Sequence, residues 1–235
     1  MTTIKPNLSQ VVVALVGALA LSATVAQAQQ TAVIYNNTSN NSGAYLSPNT
    51  LIGGSWTTEY GNQLNLGIAP NGGSWQITDF KLQYFLKSGS GDETLDLRVY
   101  ANDGTGGTPG SLLYNSTSVP IISANSGVVD VSGVNVSVPS SFTWTVSFGG
   151  VHSSGTGAET NEVAGLWLYG PPTTGSAFND VWVNNNGTWG LQNLGGGTTT
   201  FAAQITAVPE PTVLQFGMVA GLAGLGMLGL RRRTA

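Results

Sequence analysis

Two-residue alternation of apolar and polar side chains runs through most of this chain, and it constrains the fold more than any other feature. Helical periodicity is nearly absent between residues 29 and 207. The alternation is clearest in four runs: Leu64–Ile68, Leu95–Tyr100, Phe142–Phe148 and Phe201–Thr206. A strand with this pattern packs one face on a core and leaves the other outside. Near Asp79 the apolar residues change from odd-numbered to even-numbered positions. This change indicates a β-bulge or a strand that changes sheets.

Turns rich in glycine and asparagine separate these runs. About nine or ten short strands fit between the turns, which predicts an all-β fold: an antiparallel β-sandwich of jelly-roll type. Asn186-Gly187 predicts a type I′ hairpin in which Asn184 faces Trp189. Trp182 and Trp189 then share one face of the sheet, whereas we expect Trp144 and Trp167 to lie in the core.

The first 28 residues indicate an exported protein. A short basic region with Lys5 precedes an apolar run from Val11 to Leu21, and Ala26 and Ala28 supply the small residues that signal peptidase requires. The apolar run is too short to span a bilayer, so we expect a cleaved signal peptide at 1–28. Residues 29–207 then form one ectodomain.

The C-terminal residues 208–235 predict a membrane-associated tail. Two prolines between Val208 and Thr212 lack N–H donors, so we expect the last strand to end at residue 207. The 18 residues 213–230 carry no charge, and as a helix they would span roughly 27 Å, just enough for the hydrocarbon core. Arg231, Arg232 and Arg233 would keep the C-terminus in the cytoplasm.

The order Pro209-Glu210-Pro211, apolar helix and arginine cluster resembles the PEP-CTERM sorting domain, a segment also catalogued as the C-terminal domain of ice-binding proteins. The resemblance implies recognition by an exosortase and cleavage near the motif. The marginal length of the apolar run favours a transient membrane anchor over a permanent one. It also implies delivery to the cell surface or extracellular matrix of a Gram-negative bacterium that makes exopolysaccharide. Residues 97–104 and 108–113 more loosely resemble jelly-roll choice-of-anchor modules, which implies a sandwich without a defined activity.

Charge and composition exclude several classes of function. The ectodomain has three basic and ten acidic residues, a net charge of −7, so we expect no nucleic-acid partner. The absence of cysteine excludes disulfides and thiolate metal sites. His152 is the single histidine, and no G-x-S-x-G motif accompanies it, so we expect a protein that is not an enzyme.

Acidic turns suggest one metal alternative. Asp92, Glu93 and Asp96 form one cluster, and Asn102 and Asp103 follow one strand later. Calcium prefers such hard oxygen ligands. A strand over residues 94–101 would nevertheless place the two groups at opposite ends, some 25–35 Å apart. We therefore expect solvated turn acids and no cofactor, with calcium as the alternative.

The leading hypothesis is a structural or adhesive protein in an exopolysaccharide matrix. The first alternative is a carbohydrate-binding module in which Trp182 and Trp189 stack on sugar rings. The second is a secreted hydrolase with a nonstandard site, in which the acidic pair Glu159 and Glu162 would act with a distant aspartate that the sequence does not identify. Ice binding is a third hypothesis, although the ectodomain lacks a regular Thr-x-Thr array.

The tail yields a direct prediction. Glu210→Ala should leave export intact but leave the protein uncleaved in the membrane, because the sorting motif is lost. Fractionation and immunoblotting of the producing cells measure both effects. An unchanged mature size and location would contradict the exosortase assignment.

Overall fold

The computed structural model describes residues 30–67, 69, 74–122, 125–152, 161–194 and 199–210. Most of the expected targeting segments lie outside these residues: the signal peptide with Ala26 and Ala28, Pro211, the apolar run 213–230, and Arg231, Arg232 and Arg233. Within the described part of the chain, no helix has the length and apolarity needed to cross a membrane.

The described residues form fifteen strand segments and two short 3₁₀ helices, Pro48–Thr50 and Thr105–Gly107. In chain order the strands are β1 Ala32–Asn36, β2 Asn41–Leu46, β3 Glu59–Asn65, β4 Trp75–Lys87, β5 Thr94–Ala101, β6 Leu112–Asn115, β7 Val119–Pro120, β8 Gly127–Val138, β9 Ser141–Gly149, β10 Val163–Tyr169, β11 Ser176–Ala177, β12 Asp180–Asn185, β13 Thr188–Asn193, β14 Thr200–Phe201 and β15 Ala203–Pro209.

The strands form two antiparallel sheets that pack as a β-sandwich, which confirms the expected all-β class. The first sheet has the order β1-β15-β4-β10-β14, with β2 added to β10 and β8 added to β4. The second has the order β13-β12-β3-β9-β5-β6, with β11 added to β3 and β7 added to β5. Several neighbours, such as β3 and β9, are far apart in sequence, so the sandwich depends on long-range pairing.

The core lies between the sheets and is centred on Trp144, which is fully buried as the alternation in β9 predicts. Its ring packs edge-on against Phe80 of the first sheet at 5.2 Å between centroids, and against Phe201 at 6.0 Å. Because these contacts cross the space between the sheets, Trp144 contributes to the cohesion of both layers.

Two buried polar side chains of β3 also join the sheets. The Tyr60 hydroxyl donates to the Leu46 carbonyl at 2.9 Å and accepts from the Leu166 amide at 3.1 Å. Burial raises the pKa of Tyr60 well above its ordinary value, so this hydroxyl stays protonated. The Asn62 Oδ1 atom accepts from the Phe201 amide at 2.9 Å. Each bond satisfies a group that would otherwise be buried without a partner.

Two local predictions are confirmed. The pairing of β4 with both β8 and β15 shifts register between Ile77 and Asp79, so a bulge causes the parity switch. The β12–β13 hairpin pairs Asn184 with Trp189. Asn186 and Gly187 have φ values of 52° and 89°, the left-handed backbone that a type I′ turn requires.

The end of the last strand differs from our expectation. Strand β15 continues past residue 207, where Val208 pairs with Gln76 and Pro209 pairs with Trp75. The Glu210 amide donates to the Ser74 carbonyl at 3.0 Å. Since backbone N–H groups alternate in direction, the Pro209 nitrogen faces the other side, where β1 does not extend, because β1 begins at Ala32 opposite Ala207. Proline therefore removes no ladder hydrogen bond.

The expectation for Trp167 is wrong. In β10 the inward positions are taken by Ala164 and Leu166, which are buried in the core cluster. Trp167 lies on the outer face of the first sheet and is half-buried. It contacts Tyr45 and Phe85 edge-on, at 6.0 and 5.4 Å between centroids.

The contact between β3 and β9 predicts a position where only glycine fits. A Cβ atom on Gly61 would lie 1.9 Å from the Trp144 carbonyl oxygen, so Gly61→Ala must push the two strands apart. We expect a loss of about 1–3 kcal/mol in the free energy of unfolding, measured by urea denaturation. Gly190→Ala in the same sheet is the matched control, because no atom lies within 4 Å of its added Cβ. Equal losses for the two variants would contradict the close approach.

Candidate ligand-binding groove on the second sheet

The outer face of the second sheet curls into a groove. Tyr100 on β5 and Trp189 on β13 contact edge-on at 5.2 Å between ring centroids. Their strands are separated by β9, β3 and β12, a distance of about 19 Å across a flat sheet. The two side chains meet only because the sheet bends, so its outer face is concave.

A cavity of about 660 Å³ occupies this concave face. Its floor comes from β3, β5 and β9, and its rim comes from the loop before β3 and the β12–β13 turn. Hydroxyl and amide groups predominate among the lining residues: Ser55, Thr57, Thr58, Thr94, Ser118, Ser147, Asn184, Asn185 and Asn186. Three charged residues, Glu59, Asp96 and Arg98, complete the polar lining.

Glu59 is the most enclosed charge of the groove, with 11 % of its side chain exposed. Its Oε1 atom accepts from the Thr145 hydroxyl at 2.5 Å, and its Oε2 atom accepts from the Asn184 side-chain amide at 3.3 Å. The Arg98 guanidinium lies 3.4 Å from the same Oε2 atom. Three different strands therefore hold this carboxylate in one orientation.

Arg98 joins Glu59 to the other wall of the groove. Its Nη2 atom donates to Asp96 at 3.2 Å, and its Nη1 atom donates to the Ser147 hydroxyl at 3.0 Å. Asp96 also accepts from the Ser118 hydroxyl at 2.9 Å. The fixed guanidinium keeps both carboxylates in place, so the groove offers an ordered set of donors and acceptors.

Tyr100 links this network to the aromatic pair. Burial raises the pKa of Tyr100, and the neighbouring Glu59 carboxylate raises it further, because a phenolate beside a carboxylate would be repelled. The hydroxyl therefore stays protonated and lies beside the Glu59 carboxylate. Through Tyr100, Trp189 lies at the edge of the polar groove.

The two tryptophans predicted to bind sugar occupy different environments. They share the outer face, as expected, because Trp182 pairs with Leu191 and Trp189 pairs with Asn184. Trp182, however, is only 8 % exposed, and its indole N–H donates to Gln63 at 3.1 Å. Trp182 therefore offers little open surface for stacking on a sugar ring. Trp189 is half-buried and keeps part of its ring outside.

The structure does not bring the five acidic-turn residues together. Asp103 accepts from Ser111 beyond the end of β5, and Asn102 pairs with Thr143 and Ser141. Asp96 lies in the groove, and Asp92 and Glu93 lie at the opposite end of β5. Among the residues that the structure describes, no three histidine or acidic side chains form a group able to hold a metal ion.

The residues of the hydrolase hypothesis lie elsewhere. The His152 Nδ1 atom is 3.4 Å from the Glu162 carboxylate. Glu159, its proposed acidic neighbour, lies outside the described residues. The His152–Glu162 pair lies at the loops before β5 and β10, and neither residue lines the main groove.

Sequence reasoning missed Glu59, Arg98, Asn184 and Tyr100 as groove residues. Their positions in the chain are far apart, and only long-range strand pairing brings them together. One signal was available, because Arg98 is the single arginine between the two predicted targeting segments. A lone arginine inside an alternating strand indicates a specific partner.

Searches with this chain against protein-family models, curated proteins and solved structures find no match.

The interaction energy between Glu59 and Arg98 should be larger than that of a solvent-exposed ion pair. A double-mutant cycle with Glu59→Gln and Arg98→Gln should give about 1–3 kcal/mol, because both side chains are largely enclosed. The control cycle, Lys81→Gln with Asp130→Asn, breaks a shorter contact of 2.8 Å between side chains that are 41 % and 48 % exposed. Solvent screening should limit its coupling to about 0–1 kcal/mol. A larger coupling for the exposed pair would contradict the ordered groove.

Proposed function

We propose that this protein is an exported, non-enzymatic component of the cell surface or extracellular matrix, and that its β-sandwich binds a neutral polysaccharide in the groove. The observation that carries the proposal is the concave outer face of the second sheet. It combines hydroxyl and amide groups with a fixed Glu59–Arg98 pair, and Trp189 lies at its edge.

The lining favours a glycan over other ligands. Sugar hydroxyls both donate and accept hydrogen bonds, and the groove offers both functions through Asn184, Ser147 and Asp96. Two carboxylates and one guanidinium give the floor a net negative charge. An acidic polymer would be repelled, so a neutral chain is the better ligand. The remaining face of Trp189 can pack against a sugar ring.

The sorting part of the proposal rests on the sequence. The expected signal peptide and the tail that resembles a PEP-CTERM domain surround the ectodomain, and an exosortase is the proposed processing partner. The finer assignment of the sandwich as a jelly roll belongs to the same proposal, supported by its long-range antiparallel pairing. The Glu210→Ala variant tests the sorting part, independently of any ligand.

Retention on the exopolysaccharide of the producing cell tests the binding part. Trp189→Ala should weaken retention at least about fivefold, since an anchoring aromatic residue contributes more than about 1 kcal/mol. The affinity is measured from depletion of the purified protein by the immobilised polymer.

Tyr45→Ala is the matched control, because Tyr45 is an exposed aromatic residue on the opposite sheet, 40 % accessible. Its retention should equal that of the unmodified protein. Absence of retention, or equal losses for the two variants, would contradict binding in the groove.

A further inference from the structure

Two carboxylates are fully buried at one end of the sandwich, outside the groove. Glu93 ends the loop between β4 and β5, and Glu162 directly precedes β10. Both side chains belong to residues with 0 % exposure. In the described residues, His152 is the one basic side chain that pairs with either of them.

The loop around Glu93 is built to hold its carboxylate. Its Oε1 atom accepts from the Ser90 amide at 2.5 Å, and its Oε2 atom accepts from the Gly91 amide at 3.0 Å. A Cβ atom on Gly89 would lie 2.6 Å from the same Oε1 atom, so a larger residue at 89 would have to displace the carboxylate from this position. The wrapping fixes where the remaining lone pairs of the carboxylate point.

Only one of the two carboxylate oxygens of Glu162 has a hydrogen-bond partner. Its Oε2 atom accepts from the His152 amide at 2.6 Å, while its Oε1 atom is buried and has no hydrogen-bond partner. The Ser90 and Glu93 side chains lie beside the Glu162 carboxyl group. A buried oxygen without a hydrogen-bond partner therefore lies near a second buried carboxyl group.

We propose that Glu93 and Glu162 together bind a divalent cation, calcium by preference. A buried carboxylate needs a countercharge, and the half-exposed His152 contacts only the satisfied oxygen of Glu162. Oxygen donors select hard cations, and calcium accepts irregular sets of carboxylate, carbonyl and water oxygens. Two carboxylates supply the charge, and main-chain carbonyls and water supply the other ligands.

The cation would tie together loops that are distant in sequence. A Cβ atom on Gly150 would lie 2.5 Å from the Asp92 carbonyl oxygen, so the loops after β9 and before β5 already pack closely. A cation bound to Glu162 would also connect the segment that directly precedes β10. Thr94 and Gly149, which adjoin these loops, also line the groove. Calcium would thus stabilise this end of the sandwich independently of any glycan.

Thermal unfolding of the purified mature protein, stripped with a chelator, tests the site. Calcium chloride at about a hundredfold excess over Kd should raise Tm by about 5–10 °C, and magnesium should raise it less. Glu162→Gln should abolish most of this shift. Asp130→Asn is the control, because it removes an exposed acid on β8 and should keep the full shift. An absent shift, a larger shift with magnesium, or a full shift in Glu162→Gln overturns the proposal.

A second measurement locates the metal without altering its ligands. Trp56 and Glu162 line one cavity of about 470 Å³, so terbium bound at the site should luminesce when tryptophan is excited. Trp56→Phe should lower this emission several-fold and keep the calcium-dependent rise in Tm. Calcium should displace terbium with one-to-one stoichiometry. Emission unaffected by Trp56→Phe places the metal elsewhere and overturns the assignment, even if Glu162→Gln fails to fold.

Discussion

Strand β3 is the element on which both the sandwich and its groove depend. Its inward residues Tyr60 and Asn62 are polar, and each forms hydrogen bonds to the backbone of the opposite sheet. Leaving any of these buried groups unpaired would cost about 1–3 kcal/mol, so the bonds fix how the sheets are placed on each other. The alternate residues Glu59 and Gly61 face outward, and Glu59 lies in the groove floor. One strand thus specifies the core and the candidate site through its two faces.

Much of the fold could be predicted because its signals are local. Alternation places Trp144 inside, the parity switch marks the bulge beside Asp79, and Asn186-Gly187 defines a hairpin by its backbone requirements. The incorrect predictions concern the orientation and the coverage of a strand's faces, which the alternation of apolar and polar residues does not specify. It assigns a residue to a face, but it does not tell which face of β10 is inward or whether an outer face is covered. The core placement predicted for Trp167 was wrong for the first reason, and the coverage of Trp182 could not be predicted for the second.

The candidate sites were less accessible to sequence reasoning because they are assembled by pairing across the chain. Glu59 meets Arg98 only through β9, which follows both in sequence and lies between their strands. Glu93 and Glu162 approach each other across two loops. An isolated acid in a turn is normally solvated, and nothing in its neighbours indicates burial. Such sites require the topology, which a single sequence does not specify.

The paired end of β15 affects how an enzyme would bind the Pro-Glu-Pro segment that we propose as a sorting motif. Pro209 is buried and the Glu210 amide is bonded to Ser74, so part of the Pro-Glu-Pro motif lies against β4. A processing enzyme that binds an extended segment must first detach these residues. Detachment breaks few backbone hydrogen bonds, each worth about 0.5–1.5 kcal/mol, because β1 no longer flanks the strand there. This cost is small beside the stability of a domain, about 5–15 kcal/mol. If the proposed sorting is correct, this segment can therefore detach while the sandwich stays folded.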